Sequence, residues 1–152
     1  MRSASSPRSR AGSESCAVLS AEQRRLYARQ VLLRELGPAG QARLCESVVT
    51  VDSEGDARAA AVSRDYLQRA GLQVRSAADA TASELRVELP SAERVEQLAG
   101  DPALAECAAW LLGAWTAVET IKRCAELGSP AQLDESFTLN PDALERRASE
   151  IV

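Results

Sequence analysis

The run Val48-Val49-Thr50-Val51 constrains this chain more than any other four residues. It is short, β-branched and bounded by polar residues, which is the pattern of a buried strand. The sequence on either side of it is helical. Ser20 followed by Gln23 is a capping-box signal that opens a helix. Leu26, Tyr27, Gln30, Val31, Leu33 and Leu36 continue it as an apolar stripe near the 3.6 period, and Gly37-Pro38 stops it. Gly40 to Glu46 supplies another turn or two. After the strand, residues 57–70 read as a helix that ends at Gly71.

The pattern then repeats with weaker signals. A second strand is expected at Leu72 to Arg75. The alternating "ELRVEL", with Leu85, Val87 and Leu89 on one face, makes a third strand that Pro90 ends. Ser91 opens a short helix that stops at Gly100. Pro102 starts the longest one, 103–127, closed by Gly128. Its expected buried side carries Leu104, Cys107, Ala108, Leu111, Leu112, Trp115, Val118, Ile121 and Ala125. Trp110 and Trp115 lie about 140° apart around this helix, so both cannot enter one narrow core stripe; either one faces a partner or both pack at a domain edge. Phe137 to Leu139 offers a last strand, and the end of the chain offers a helical turn. The order α, β, α, β, β, α, α, β predicts an α/β layer fold with a small, mostly parallel sheet and a long C-terminal helix.

A length of 152 residues suits one domain. Aromatics are only 3% while hydrophobic residues reach 45%, so alanine and leucine must fill the core by small-residue packing. Arg2, Arg8 and Arg10 against Glu14 make residues 1–19 a +2 tail, leaving −6 of the net −4 for residues 20–152. The Ser/Arg-rich tail has almost nothing to bury and reads as disordered, with an organelle transit peptide as the alternative. An acidic domain argues against nucleic acid as a partner. No apolar stretch is long enough to span a membrane, so a cytoplasmic protein is expected. There is no histidine, the commonest general base and metal ligand. Cys16, Cys45, Cys107 and Cys124 form no CxxC pair, so reduced thiols are expected and a zinc site is not.

Two stretches carry a family resemblance. Tyr27-Ala28-Arg29-Gln30-Val31-Leu32-Leu33, then Glu35-Leu36-Gly37, Gly40-Gln41, Leu44 and Ser47, resembles the entry segment of the ThiF/MoeB/HesA family. These are adenylating enzymes related to the ubiquitin-activating enzymes. "LLGAWTAVETIKRCAELGSP", with Gly113, Ala117, Glu119, Ile121 and Lys122 in place, resembles the family's late helix, and "ESFTLNPD" the strand after it. The two matches cover a little under half of the chain. They imply a reduced Rossmann-like fold over residues 20–152, ubiquitin-like or sulfur-carrier activation, and pairing with an intact ThiF/MoeB-like subunit or a second copy.

The family's phosphate loop, G-x-G-G-x-G, is what the chain lacks. Ser53, Gly55, Asp56 and Arg58 fall at the four glycine positions, so only Gly55 survives. Side chains at the others crowd a ligand, and Asp52, Glu54 and Asp56 place carboxylates where phosphate charge would sit. Those carboxylates could instead hold Mg²⁺, although the cradle is missing too. Asp79 aligns with the family's ribose-binding aspartate, with a plain loop residue as the alternative. The family's remaining nucleotide-binding cluster, metal-binding aspartate, catalytic cysteine and zinc motifs have no counterpart. The resemblance further implies a trans role for Arg29: in the family this arginine reaches into the paired unit's nucleotide site. The alternative is one solvent-facing cation beside Arg24, Arg25 and Arg34. The expectation is a catalytically degenerate activating-type subunit with no cofactor of its own, ATP and Mg²⁺ belonging to a partner's site. A minimal active adenylyltransferase and a purely structural interaction module are the alternatives.

Overall fold

The computed structural model describes residues 18–52, 54–79, 81, 84–129, 131 and 139. Of the expected tail only Val18 and Leu19 are described, and Leu19 is buried, so the packed part begins before Ser20. The terminal helical turn and all of the last strand but Leu139 lie outside the described residues. Among the described residues, five α-helices accompany a three-stranded sheet: α1 (Ala21–Leu26), α2 (Gly37–Glu46), β1 (Val48–Val51), α3 (Ala57–Ala70), β2 (Gln73–Ser76), β3 (Leu85–Val87), α4 (Ala92–Ala99) and α5 (Ala105–Ala125). The sheet is wholly parallel in the order β2-β1-β3, so Val48–Val51 is the middle strand. The chain is therefore mixed α/β with a small parallel sheet and a long helix after it, as the alternation predicts.

Register sorts the strand side chains. Val49 pairs with Val74 and Leu85, and Val51 with Val87. These residues join Leu44, Leu67, Leu72, Ala117 and Ala125 in the main core, with Leu89 packed against it. Thr50 pairs with Arg75 and Arg86 on the opposite face. Glu84 staples that face: it accepts from Thr50 Oγ1 (2.7 Å), Arg75 Nη1 (2.8 Å) and Thr81 Oγ1 (3.0 Å). A second core joins Val95, Leu98 and Ala99 of α4 to Ala108, Ala109 and Leu112 of α5. The Leu139 N–H donates to the Leu98 carbonyl (2.6 Å) and sits against this second core.

The first helix does not run to Gly37. The capping box at Ser20 and Gln23 forms, but α1 ends at Leu26, a 3-10 turn follows at Gln30–Leu32, and Gly37-Pro38 opens α2 instead of closing α1. Proline suits the first turn of a helix, where its missing N–H costs nothing. What breaks α1 is docking onto the end of α3. Gly71 caps that helix at φ 105°, and two glutamines take its last carbonyls: Gln30 Nε2 donates to Arg69 O (3.1 Å) and Gln41 Nε2 to Ala70 O (2.8 Å). Leu26 and Leu33 of the stripe are consequently exposed, as is Leu32 beside it, while Tyr27, Gln30 and Val31 are half-buried and Leu36 packs against the main core.

The last helix is also turned from its expected phase. Its buried side is Ala108, Ala109, Leu112, Gly113, Ala117, Thr120 and Ala125, while Cys107, Leu111 and Val118 are exposed. The cause is close packing on α3. A Cβ at Gly113 would run into the backbone oxygen of Ala59, so the smallest residues face the helix that comes nearest. Residues 102–104 form a 3-10 turn, and Glu126 at φ 58° ends α5 before Gly128 is reached.

Candidate functional site

In open parallel sheets, ligands bind beyond the carboxyl ends of the strands where neighbouring connections diverge. Here β2 and β3 flank β1 on opposite sides, and the β1–α3 turn, residues 52–56, lies at that point. The turn is closed by the chain itself. The Asp56 N–H donates to Pro90 O (2.8 Å), and the Asp52 N–H reaches Val87 O (3.4 Å). A Cβ on Gly55 would strike Leu89 Cβ and crowd the Pro90 carbonyl. Gly55 thus admits the segment after β3, in the place where a phosphate cradle would need open backbone.

The N-terminus of α3 is equally occupied. Asp56 Oδ1 accepts from the N–H groups of Arg58 (2.9 Å) and Ala59 (3.1 Å), the donors that an anion at a helix start would use. Its Oδ2 accepts from Arg58 Nη2 (2.8 Å). Arg58, with the helix N–H groups, outweighs burial and holds the Asp56 carboxyl below its ordinary range. The expectation of uncompensated carboxylates needs correction at two positions: Asp56 is paired with Arg58, and Asp52 lies 3.6 Å from Arg86. Only Glu54 faces solvent, its N–H donating to Asp52 Oδ1 (3.2 Å). The carboxylates serve the turn itself, and among the described residues no three acidic or cysteine groups converge as a metal site.

Asp79 ends a 3-10 turn, Ala77–Asp79, just beyond β2. Topology places it at the same carboxyl edge as Gly55, three residues past the strand.

Arg29 sits elsewhere. It is exposed in the bend between α1 and the Gln30–Leu32 turn. Gln30, its neighbour, is bonded to the C-terminal end of α3, whereas Asp56 caps the other end. Fourteen helical residues separate the two ends by about 21 Å. Arg29 therefore cannot serve this chain's own β1–α3 turn. Leu26, Leu32 and Leu33 surround it at 71%, 81% and 56% exposure, forming a basic, leucine-bearing knuckle.

Three features escape the sequence pattern. The Glu84 staple joins residues 34 positions apart, and no local pattern hints at it. Thr50, then Thr81 and Arg75, hold the Glu84 carboxyl below its usual range against burial. Glu119 accepts from Lys122 Nζ (2.8 Å) and from the Ala131 N–H (2.7 Å), fastening the chain that leaves α5; Lys122 chiefly keeps its carboxyl ionised. On α5, Cys107, Trp110, Leu111 and Ala114 line an open, almost wholly apolar groove with Glu106 at its rim. Trp110 stands edge-on to Tyr66, 5.9 Å between centroids at 85°. Cys45, Cys107 and Cys124 are free thiols, and burial pushes the Cys124 thiol up. Among the described residues no helix is long and apolar enough to cross a membrane. Compared with known proteins, the chain matches no family model, no curated protein and no solved structure.

Proposed function

We propose that this chain is a catalytically degenerate activating-type subunit of the ThiF/MoeB kind. It is a reduced Rossmann-like pseudoenzyme that pairs with another adenylation unit in the cytoplasm and supports that unit's site. One observation carries the reading: the turn that would hold phosphate is filled by Asp56, Leu89 and Pro90, while Arg29 is displayed at the far end of α3. An arginine so placed acts in trans or not at all.

The chemistry asked of it is modest. Adenylation of a ubiquitin-like or sulfur-carrier protein releases pyrophosphate, and a guanidinium on the β- and γ-phosphates stabilises developing charge without moving a proton. ATP and Mg²⁺ belong to the partner; this chain supplies the cation and the surface that holds it. Gln30 and Gln41 support that role, because both tie the knuckle segment to the end of α3.

Two measurements test the proposal. Arg29→Ala is expected to lower ATP–pyrophosphate exchange by an intact relative severalfold while the complex stays assembled; unchanged exchange removes the finger. Calorimetry of the isolated chain with ATP and Mg²⁺ is expected to show no saturating heat. A clear isotherm would mean that the chain is itself a minimal adenylyltransferase.

A further inference from the structure

We infer that Cys16 and Cys45 form a reversible disulfide that fastens the start of the chain onto α2, a redox-operated staple beside the α1–α2 knuckle. The inference goes beyond the reading above, since it does not depend on what Arg29 does in a relative's site. Cys16 lies outside the described residues; its place in the sequence and the described residues that follow it carry the inference.

Leu19 is the anchor. It is 5% exposed while Val18 is 77% exposed, so the chain enters the fold between the two. Both line a hollow of about 70 Å³, which they share with Ala42, Cys45 and Glu46 of α2. That exceeds the roughly 30 Å³ of one water, so a thiomethylene group fits. Cys16 stands two residues before Val18 and three before Leu19. At no more than about 3.6 Å per residue, its Cα stays within about 7 Å of Val18 and about 11 Å of Leu19. A disulfide sets its two Cα atoms about 5.5–6 Å apart, and a chain that turns back across so small a hollow meets that separation. The tether also selects the partner. Cys45 is a free thiol bordering the hollow, whereas Cys107 lies on α5 and Cys124 packs against the main core, and neither lines it. So short a link holds the two groups at about millimolar effective concentration.

The step needs an oxidant, and glutathione disulfide supplies the class. The thiolate of one cysteine attacks a glutathione sulfur and expels glutathione thiolate, leaving a mixed disulfide. The second protein thiolate attacks the protein sulfur of that bond and expels the other glutathione thiolate. Two protein thiols lose two electrons and two protons, and glutathione disulfide takes them up as two glutathione thiols. Where thiols are kept reduced, such a bond forms as oxidant rises and reverses as it falls. The staple reaches the base of the knuckle. Gln41 Nε2 donates to Cys45 Sγ (3.7 Å), and a Cβ added at Gly71 would meet Cys45 Sγ at 3.2 Å and Tyr27 Cζ at 3.1 Å. Sulfur, amide and ring crowd one spot, and the bridge ties that spot to the residues just ahead of the Ser20 cap of α1.

Peptide mapping of the full chain tests this. The chain is incubated at low concentration with glutathione disulfide, its remaining thiols are alkylated, and it is digested with trypsin without reduction. The expected product joins residues 11–24 to residues 44–58, at least about tenfold more abundant than any link to Cys107 or Cys124, and dithiothreitol dissolves it. Brief trypsin treatment of the folded chain gives a second readout. Cleavage after Arg24 and Arg25, both in α1, is expected to slow severalfold once the bond has formed, because the staple opposes local opening of that helix. Cys16→Ser, made ahead of the packed residues, is expected to leave Cys45 carrying glutathione and to cancel the slower cleavage. Equally abundant links to Cys107 or Cys124, glutathione on both Cys16 and Cys45 without a bridge, a bridge found only in covalent dimers, or an unchanged cleavage rate would each overturn the inference. None of these measures adenylation, so either reading can fail while the other stands.

Discussion

The β1–α3 turn and the α1–α2 knuckle are built from similar material and do opposite things with it. Each combines charged residues, a glycine nearby and a short apolar segment. Among the described residues of the turn, Asp56 caps α3, Arg58 closes on Asp56 and Gly55 admits Leu89, so that only the Glu54 side chain faces solvent. In the knuckle, the polar groups that are satisfied point inward through Gln30, while Arg29 and three leucines are left for solvent. A region that is complete by itself contributes stability; a region that is incomplete has surface to offer. The described part of the turn is a structural joint, and the knuckle is exposed surface.

Substitutions can break or sharpen this contrast. The largest effect is expected at Gly55. Gly55→Val drives a branched side chain into Leu89 and the Pro90 carbonyl, and should cost about 3 kcal/mol in urea unfolding. A mild effect would mean that the turn has room after all. Next comes Asp56→Ala, which removes a helix cap and should cost about 1–2 kcal/mol. Asp56→Asn keeps a capping oxygen and should cost less.

The pH dependence separates the parent from both Asp56 variants, which lack the carboxyl. The folded carboxyl titrates below its unfolded value near 4, so its contribution is fully present above that value and disappears as pH falls through the lower, folded one. The acid unfolding curve of Asp56→Asn should accordingly be flatter below about pH 4 than that of the parent. The smallest effect belongs to the knuckle. Leu32→Ser should change stability by less than about 0.5 kcal/mol, because the side chain has little to lose. A large loss there would show that Leu32 is part of a core.

The sequence reveals more of the sheet and of the helices around it than of the site. Val48–Val51, residues 57–70 and the Ser91 to Gly100 segment signal their own boundaries through β-branching, caps and glycines. Where the reading departs from the structure, a distant residue decides. α1 breaks because Gln30 finds a carbonyl 39 residues away, and no local pattern encodes that. On α5, hydropathy picks the large residues as the buried face, whereas with Gly113 close to Ala59 the helix buries Ala109, Gly113 and Ala117 and leaves Cys107, Leu111 and Val118 outside. Size outweighed apolarity. That residues 52–58 hold a single glycine is legible directly; that the Pro90 carbonyl comes back to the Asp56 N–H is not, since it depends on where β3 lies in the sheet.

α5 belongs to both cores, giving Ala117 and Ala125 to the one on the sheet and Ala108, Ala109 and Leu112 to the one under α4. A shared member couples what it joins. Amide protons in α4 and in β1 should therefore exchange with solvent through the same global opening, at nearly the same free energy, although the two elements sit in separate clusters. Shortening α5 from its N-terminal end would uncouple them, leaving a sheet that holds its protons beside a helix that has lost Ala108, Ala109 and Leu112 from the second core.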